Sequence, residues 1–94
     1  MYKIQSTTHF DRQLKKLVGK HPDLVAIYED ALGVLEKDPY NISHAYKIKK
    51  LSDIAPATEG IWRFTDGVYR IRYDIEGKTV VLLRIGDRKD AYRK

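Results

Sequence analysis

The chain has 94 residues, no cysteine and a formal net charge of +5. With 43% hydrophobic and 33% charged residues, it has enough apolar material for one core, which argues against disorder, and no segment typical of a membrane span. The lack of cysteine excludes disulfides and thiolate metal sites, and the N-terminus lacks the apolar segment of a secretory signal. We therefore expect a single domain over residues 1–94 in the reducing cytoplasm.

The first part of the chain predicts a short strand followed by two helices. Residues 2–5 alternate between polar and apolar types, as a strand does. Apolar residues then recur every three or four positions from Thr8 to Gly19, which predicts a first helix with a basic outer face. A second helix is predicted to start at Pro22-Asp23 and to stop at Asp38-Pro39.

The rest of the chain predicts a loop and then a strand meander. Residues 39–59 have weak periodicity and hold two of the three prolines, so we expect a long surface loop. From Gly60 the period changes to two, which predicts strands at 61–64, 68–75 and 79–85. The predicted fold class is α+β, a β-α-α-β-β-β arrangement with an antiparallel sheet and both helices packed on one face.

Positive charge is concentrated in the last third of the sequence. Residues 60–94 carry nine basic and five acidic residues, a net charge of +4, whereas residues 1–59 carry nine and eight, a net charge of +1. Alternation along the middle predicted strand places Arg70 and Arg72 on the face opposite the core. A polyanion is therefore the leading partner, and the alternative is a solvated strand face that only confers solubility.

The sequence has no motif for a metal or a phosphate-binding loop, and we expect no cofactor. The three histidines are widely separated, and no HExxH, GxSxG or glycine-rich pattern occurs. Cleavage of RNA without a metal requires removal of a 2′-hydroxyl proton, stabilisation of charge on the phosphorane and protonation of the departing 5′-oxygen. Arginines supply the second requirement. Tyr92 lies four residues after Arg88, so one helical turn would place a candidate base beside a guanidinium group that favours its ionised form.

Three stretches of the second half carry a pattern that is more specific than charge. They run from Gly60 to Phe64, from Gly67 to Tyr73 and from Leu82 to Arg93, and the last contains Gly-x-Arg-x-Asp-x-Tyr after an aliphatic strand. Together they resemble the RelE branch of the RelE/ParE toxin superfamily, and the resemblance covers essentially the whole chain. It implies the toxin of a type II toxin–antitoxin pair, a ribosome-dependent endoribonuclease that cuts mRNA in the ribosomal A site and inhibits translation.

The resemblance also implies roles for individual residues. Arg63 and Arg70 correspond to phosphate-binding residues, Arg88 to the proposed general acid, and Tyr92 to the proposed general base. Further basic residues are predicted to bind RNA, namely Lys47, Lys49, Lys50, Arg72, Lys89 and Arg93.

Two positions depart from the family pattern. Ile61 stands where some members have a basic residue, and we expect Lys49 or Lys50 to replace it. Asp87 stands where many members have a histidine. We expect this carboxylate either to act as the base instead of the tyrosine or to orient Arg88.

The resemblance further implies partners and leaves two other functions open. An acidic, partly disordered antitoxin is expected to cover the toxin in a hetero-oligomer, and the ribosome and mRNA are the expected targets; no membrane is involved. The first alternative is a toxin of the ParE branch, which inhibits DNA gyrase and cuts no RNA. The second is an inactive relic that only binds RNA or an antitoxin, which the departures at Ile61 and Asp87 favour.

Overall fold

A computed structural model describes residues 1–51 and 60–87. In this part of the chain two helices and five strands follow in the order β1 (Lys3–Ser6), α1 (Thr8–Lys20), α2 (Leu24–Lys37), β2 (Ile48–Lys50), β3 (Trp62–Asp66), β4 (Tyr69–Glu76) and β5 (Thr79–Asp87). The strands form one sheet in the spatial order β1-β5-β4-β3-β2. The predicted α+β fold class, with both helices on one face of the sheet, is confirmed.

Two details of the predicted sheet are wrong. β1 runs parallel to β5, with Ile4 opposite Val80, so the sheet is mixed and not antiparallel throughout. Residues 39–59 are not wholly a surface loop, because Ile48–Lys50 form an edge strand antiparallel to β3. A strand of three residues is too short to show alternation in the sequence, and its existence depends on its pairing partner.

The helices cover the sheet with their apolar stripes. Phe10 and Leu17 of α1 and Leu35 of α2 are buried, and the N-cap Thr7 accepts a hydrogen bond from the backbone N–H of Phe10 through its side chain. Beyond the end of β1, the Gln13 side chain of α1 accepts a hydrogen bond from the backbone N–H of Ile85 on β5 at 3.1 Å. Within the described ranges neither helix has the length and apolar character that crossing a lipid bilayer requires.

The central strand β4 divides the sheet into two chemically different faces. Tyr69, Ile71 and Tyr73 are 5%, 3% and 0% exposed, and they pack beneath the helices. The hydroxyl of Tyr73 donates to the carbonyl of Pro39 at 2.7 Å, which joins the end of α2 to the middle of the sheet. The intervening residues, Arg70 among them, point to the opposite face.

A β-bulge changes the alternation along β5. Arg72 lies opposite Arg84, but the next residue of β4, Tyr73, lies opposite Leu82, so one residue of β5 is left over. The extra residue allows Leu82 and Ile85 both to face the core although they are three positions apart. As a result, Arg84 lies on the same face as Arg72.

The segment between α2 and β2 is held by side chains of its own. The Asp38 carboxylate accepts hydrogen bonds from the Ser43 hydroxyl and from the backbone N–H groups of Ile42 and Ser43. The Ser43 hydroxyl contributes most to lowering the pKa of Asp38. The Asn41 amide donates to the Tyr46 carbonyl at 2.9 Å and accepts from the Tyr46 N–H at 3.2 Å. This segment therefore presents β2 to β3 in a defined position.

Gly60 is a position where the structure tolerates no side chain. Its φ is +88°, and an added Cβ would lie 2.8 Å from the backbone oxygen of Tyr73. We expect Gly60→Ala to lower the free energy of unfolding by at least about 1–3 kcal/mol, because the left-handed backbone and the contact both become unfavourable. The matched control is Gly33→Ala in α2, where nothing lies within 4 Å of the added methyl group. It should raise the free energy by about 0.5–1 kcal/mol. Urea unfolding of both variants checks this, and equal changes of the same sign would contradict the contact at Gly60.

Because the phenol of Tyr73 is buried, we expect the protein to lose stability at alkaline pH. Burial raises the pKa of its phenol above the ordinary value of 10.0, and the charge of Asp38 raises it further. Above pH 10.0 the unfolded chain loses the phenol proton, whereas the folded chain keeps it. The contribution of the Tyr73 phenol to the free energy of unfolding is therefore complete only below that pH. It is lost at up to about 1.4 kcal/mol per pH unit as the pH rises.

Comparison with Tyr73→Phe isolates this effect. At neutral pH we expect the variant to be less stable by about 1–3 kcal/mol, because the buried Pro39 carbonyl loses its donor. The difference should shrink above pH 10.0, since phenylalanine does not titrate. Urea unfolding at several pH values measures it, and a constant difference up to the most alkaline pH would refute the assignment.

Candidate nucleic-acid interface

Basic side chains cover the face of the sheet that points away from the helices, and we call this surface the cationic face. Its members in the described chain are Lys47, Lys49, Arg63, Arg70, Arg72 and Arg84. One row crosses four neighbouring strands, because Lys49 lies opposite Arg63, Arg63 opposite Arg72, and Arg72 opposite Arg84. Adjacent strands are only about 4.8 Å apart, and like charges on directly opposed residues are unfavourable. The arrangement is therefore typical of a surface that binds an anion.

A shallow concavity opens at the β2 edge of the cationic face. Its volume is about 310 Å³, and its lining consists of Lys47, Ile48, Lys49, Arg63 and Thr65. The Nε atom of Arg63 is buried and has no hydrogen-bond partner within residues 1–51 and 60–87. Because buried polar atoms are normally paired, a ligand with acceptor oxygens is the natural complement of this site.

Arg72, which was predicted to bind RNA, makes an internal contact. Its Nε and Nη2 atoms both donate to the carbonyl of Gly60, at 3.1 and 2.6 Å. The neighbouring carboxylate of Asp74 accepts from the N–H of Ile61 at 3.0 Å. Together the two side chains hold the residues that lead into β3, and so they fix the position from which Arg63 projects.

Two predicted site residues lie on the other side of the sheet. Lys50 is opposite Trp62, and its Nζ atom is 5.8 Å from the centre of the indole ring, on the helix side. Asp87 is opposite Tyr69, also on the helix side. Burial raises the pKa of Tyr69, and the charges of Asp23 and Asp87 raise it further. The surroundings of Tyr69 are thus acidic, and they lie on the opposite side of the sheet from the cationic face.

The C-terminal residues predicted to take part lie outside the described residues. They are Arg88, Lys89, Tyr92 and Arg93. The structure describes the chain as far as Asp87, which ends β5 next to β4.

The structure adds two residues to the surface that the sequence did not single out. Strict alternation along β5 would place Arg84 on the same face as the buried Leu82, two positions earlier, and only the bulge turns it to the cationic face. Thr65 lies opposite Arg70 and lines the concavity beside Arg63. The sequence signal for Arg84 is a break in the period of two, because the apolar Ile85 follows it directly. Nothing in the sequence marks Thr65 as a surface residue of this face, because a neutral threonine is common in strands.

In the described part of the chain no group of three histidine or acidic side chains is close enough to hold a metal ion.

The chain is similar to known proteins in sequence and in structure. The family model of the ParE toxin of the type II toxin–antitoxin system parDE matches residues 4–92. Toxin RelG from Mycobacterium tuberculosis is 34% identical over 93 residues, which cover 99% of this chain and 98% of that protein.

Solved structures with the same fold include the following two. One is the toxin–antitoxin complex RelBE2 from Mycobacterium tuberculosis, with 30% identity and a TM-score of 0.68, where the match covers 93% of this chain and 98% of the matching chain. The other is YafQ from Escherichia coli, with a TM-score of 0.71, 99% of this chain and 100% of that chain covered, and only 14% identity. The second likeness concerns the fold alone.

Proposed function

Since the chain belongs to the RelE/ParE superfamily of type II toxin–antitoxin toxins, we propose that it is a ribosome-dependent endoribonuclease that cuts mRNA in the ribosomal A site. The observation that carries the proposal is the row of cations Lys49, Arg63, Arg72 and Arg84, with the concavity beside it. RNA is the polyanion that such a toxin meets on a translating ribosome.

The cationic face supports the electrostatic part of this reaction. Attack of a 2′-oxygen forms a bond to phosphorus and breaks the bond to the 5′-oxygen, leaving a 2′,3′-cyclic phosphate. Negative charge develops on the non-bridging oxygens, and in the proposal Arg63 and Arg70 stabilise it. Arginine is suited to this because its planar donors match paired phosphate oxygens.

The two proton transfers are assigned to the C-terminal residues. In the proposal Tyr92 takes the 2′-hydroxyl proton and Arg88 gives a proton to the departing 5′-oxygen, so the protons balance. Lys89 and Arg93 would contact the RNA backbone nearby. No step of this scheme calls for a metal ion or other cofactor. Asp87 is a weaker candidate for the base, because its strand position faces Tyr69 on the helix side and not Arg63 and Arg70 on the cationic face.

Lys49 is the better candidate to replace the basic residue missing at Ile61. It pairs directly with Arg63 on the cationic face, whereas Lys50 packs over Trp62 on the other face. The proposal therefore assigns phosphate binding to Lys47 and Lys49 and removes Lys50 from the site.

An antitoxin is the expected regulator. The matching structure from Mycobacterium tuberculosis is that of a toxin–antitoxin complex, and this chain carries a net charge of +5. We propose an acidic, partly disordered antitoxin that forms a hetero-oligomer with the toxin and covers the cationic face. The proposed site of action is the cytoplasm, where translating ribosomes are found.

Inhibition of DNA gyrase is the second candidate function. It is favoured by the family model, which describes the ParE toxin and spans residues 4–92. Mapping of nucleic-acid breaks separates the two candidates. A gyrase inhibitor leaves DNA breaks and intact message, whereas the proposed nuclease leaves DNA intact.

The decisive experiment adds the purified toxin to a translation reaction and maps the 5′ ends of the message by primer extension. We expect cuts within the codon in the A site, and none in the same message without ribosomes. Arg88→Ala and Tyr92→Phe should each lose cleavage and growth arrest while still binding the antitoxin. Full toxicity in both variants would remove these residues from the mechanism, and absence of growth arrest by the unmodified toxin would identify an inactive relic.

Lys49 and Lys50 provide a matched pair for the RNA contact. We expect Lys49→Ala to weaken binding of a single-stranded RNA oligonucleotide and to reduce the slope of log K against log salt concentration by about one. Lys50→Ala should leave the slope unchanged, because this residue faces the other side of the sheet. Fluorescence anisotropy over a range of salt concentrations measures both. Equal effects of the two substitutions would contradict the assignment.

A further inference from the structure

The concavity at the β2 edge has one lining side chain of a different chemical kind. Lys47, Lys49 and Arg63 are cations and Ile48 is apolar, whereas Thr65 brings a neutral hydroxyl group. Lysine and arginine side chains only donate hydrogen bonds, while a threonine hydroxyl both donates and accepts. Among the residues that line this concavity, Thr65 is therefore the only one whose side chain can accept a hydrogen bond.

The backbone carbonyl nearest to Thr65 on the edge segment already has a donor. The carbonyl of Lys47 accepts the N–H of Thr65 at 2.9 Å, as part of the pairing between the edge segment and β3. Thr65 is half-buried, and its branched side chain has few rotamers, so the hydroxyl is held with little entropy left to lose on binding. The one lining side chain that can accept a hydrogen bond is thus held in a restricted position.

Thr65 is surrounded by cations of the cationic face. It lies opposite Arg70 on β4 and two residues from Arg63 on the same strand, with Lys47 on its other side. A phosphate group held by these cations would bring its own ribose close to the threonine hydroxyl. The geometry therefore places one acceptor among the donors that bind the nucleic-acid backbone.

RNA and DNA backbones differ in one group that needs such an acceptor. Phosphate oxygens only accept hydrogen bonds, so the surrounding cations bind RNA and DNA alike. The 2′-hydroxyl group of ribose also donates, and it is the group by which a protein tells RNA from DNA. We propose that Thr65 Oγ1 accepts a hydrogen bond from a ribose 2′-hydroxyl in the concavity, which makes Thr65 a specificity-determining residue for RNA. The inference rests on the proposed function, since it assumes that the concavity binds the message.

The test compares affinity for RNA with affinity for DNA in variants of the toxin. Thr65→Val keeps the shape of the side chain and removes the acceptor, and Thr65→Ser keeps the acceptor. Thr79→Val is the matched control, because Thr79 lies on β5 opposite Glu76 and outside the concavity. The probes are a single-stranded RNA oligonucleotide and a DNA oligonucleotide of the same sequence at one salt concentration.

We expect the unmodified toxin to bind the RNA more tightly than the DNA. Thr65→Val should reduce the ratio of the two affinities about three- to tenfold through weaker RNA binding, with DNA binding unchanged. Thr65→Ser should restore the ratio, and Thr79→Val should not alter it. Circular dichroism confirms that each variant is folded.

Two results overturn the inference: an unmodified toxin with equal affinity for both probes, or a Thr65→Val variant with an unchanged ratio. The outcome is independent of the cleavage assay. If the message is cut but the ratio stays constant in Thr65→Val, the nuclease proposal stands and the role of Thr65 is wrong. If the ratio falls but the message remains intact, Thr65 recognises ribose and the nuclease proposal is wrong.

Discussion

The period of two along β4 is the constraint on which the other features depend. Burial of Tyr69, Ile71 and Tyr73 beneath the helices leaves Arg70 and Arg72 no choice but the opposite face. Burying each large apolar side chain contributes about 1.5–3 kcal/mol, whereas cross-strand charge pairs change stability by only about 0.2–1 kcal/mol. The core therefore outweighs the repulsion between neighbouring cations. One strand thus builds the hydrophobic core and the candidate binding surface at the same time.

Sequence patterns predict those parts of the fold whose periodicity extends over many residues. Both helices and the three long strands β3, β4 and β5 show enough repeats of their period to be found. The parallel pairing of β1 joins segments more than seventy residues apart, and nothing local to either strand specifies its direction. β2 has three residues, and its pairing with β3 comes from the contacts of the preceding segment, Asn41 among them. The bulge before Arg84 is set by the fit of β5 to the core.

In the candidate site, too, strand alternation predicts which face a residue lies on but not what its side chain contacts. Alternation within one strand correctly separates Arg70 from the core, and it also separates Lys49 from Lys50 once β2 is known. Composition does not show which charged side chains are available to a ligand and which make hydrogen bonds within the protein. Arg72 is as basic as its neighbours, yet its guanidinium group holds the carbonyl of Gly60. Such assignments need the path of the chain in space, because the acceptor lies twelve residues away on another segment.

The Asn41 side chain has a consequence for how the molecule behaves in concentrated solution. Its carboxamide makes both hydrogen bonds to Tyr46 that a neighbouring strand would make, and its amide also approaches the Ile48 carbonyl at 3.5 Å. The Asn41 side chain thus occupies the backbone N–H and C=O groups of Tyr46, with which another strand could otherwise pair. Exposed strand edges can pair with other chains and lead to fibrils, and an amide group that occupies the start of the β2 edge, with lysines beside it, disfavours such pairing there.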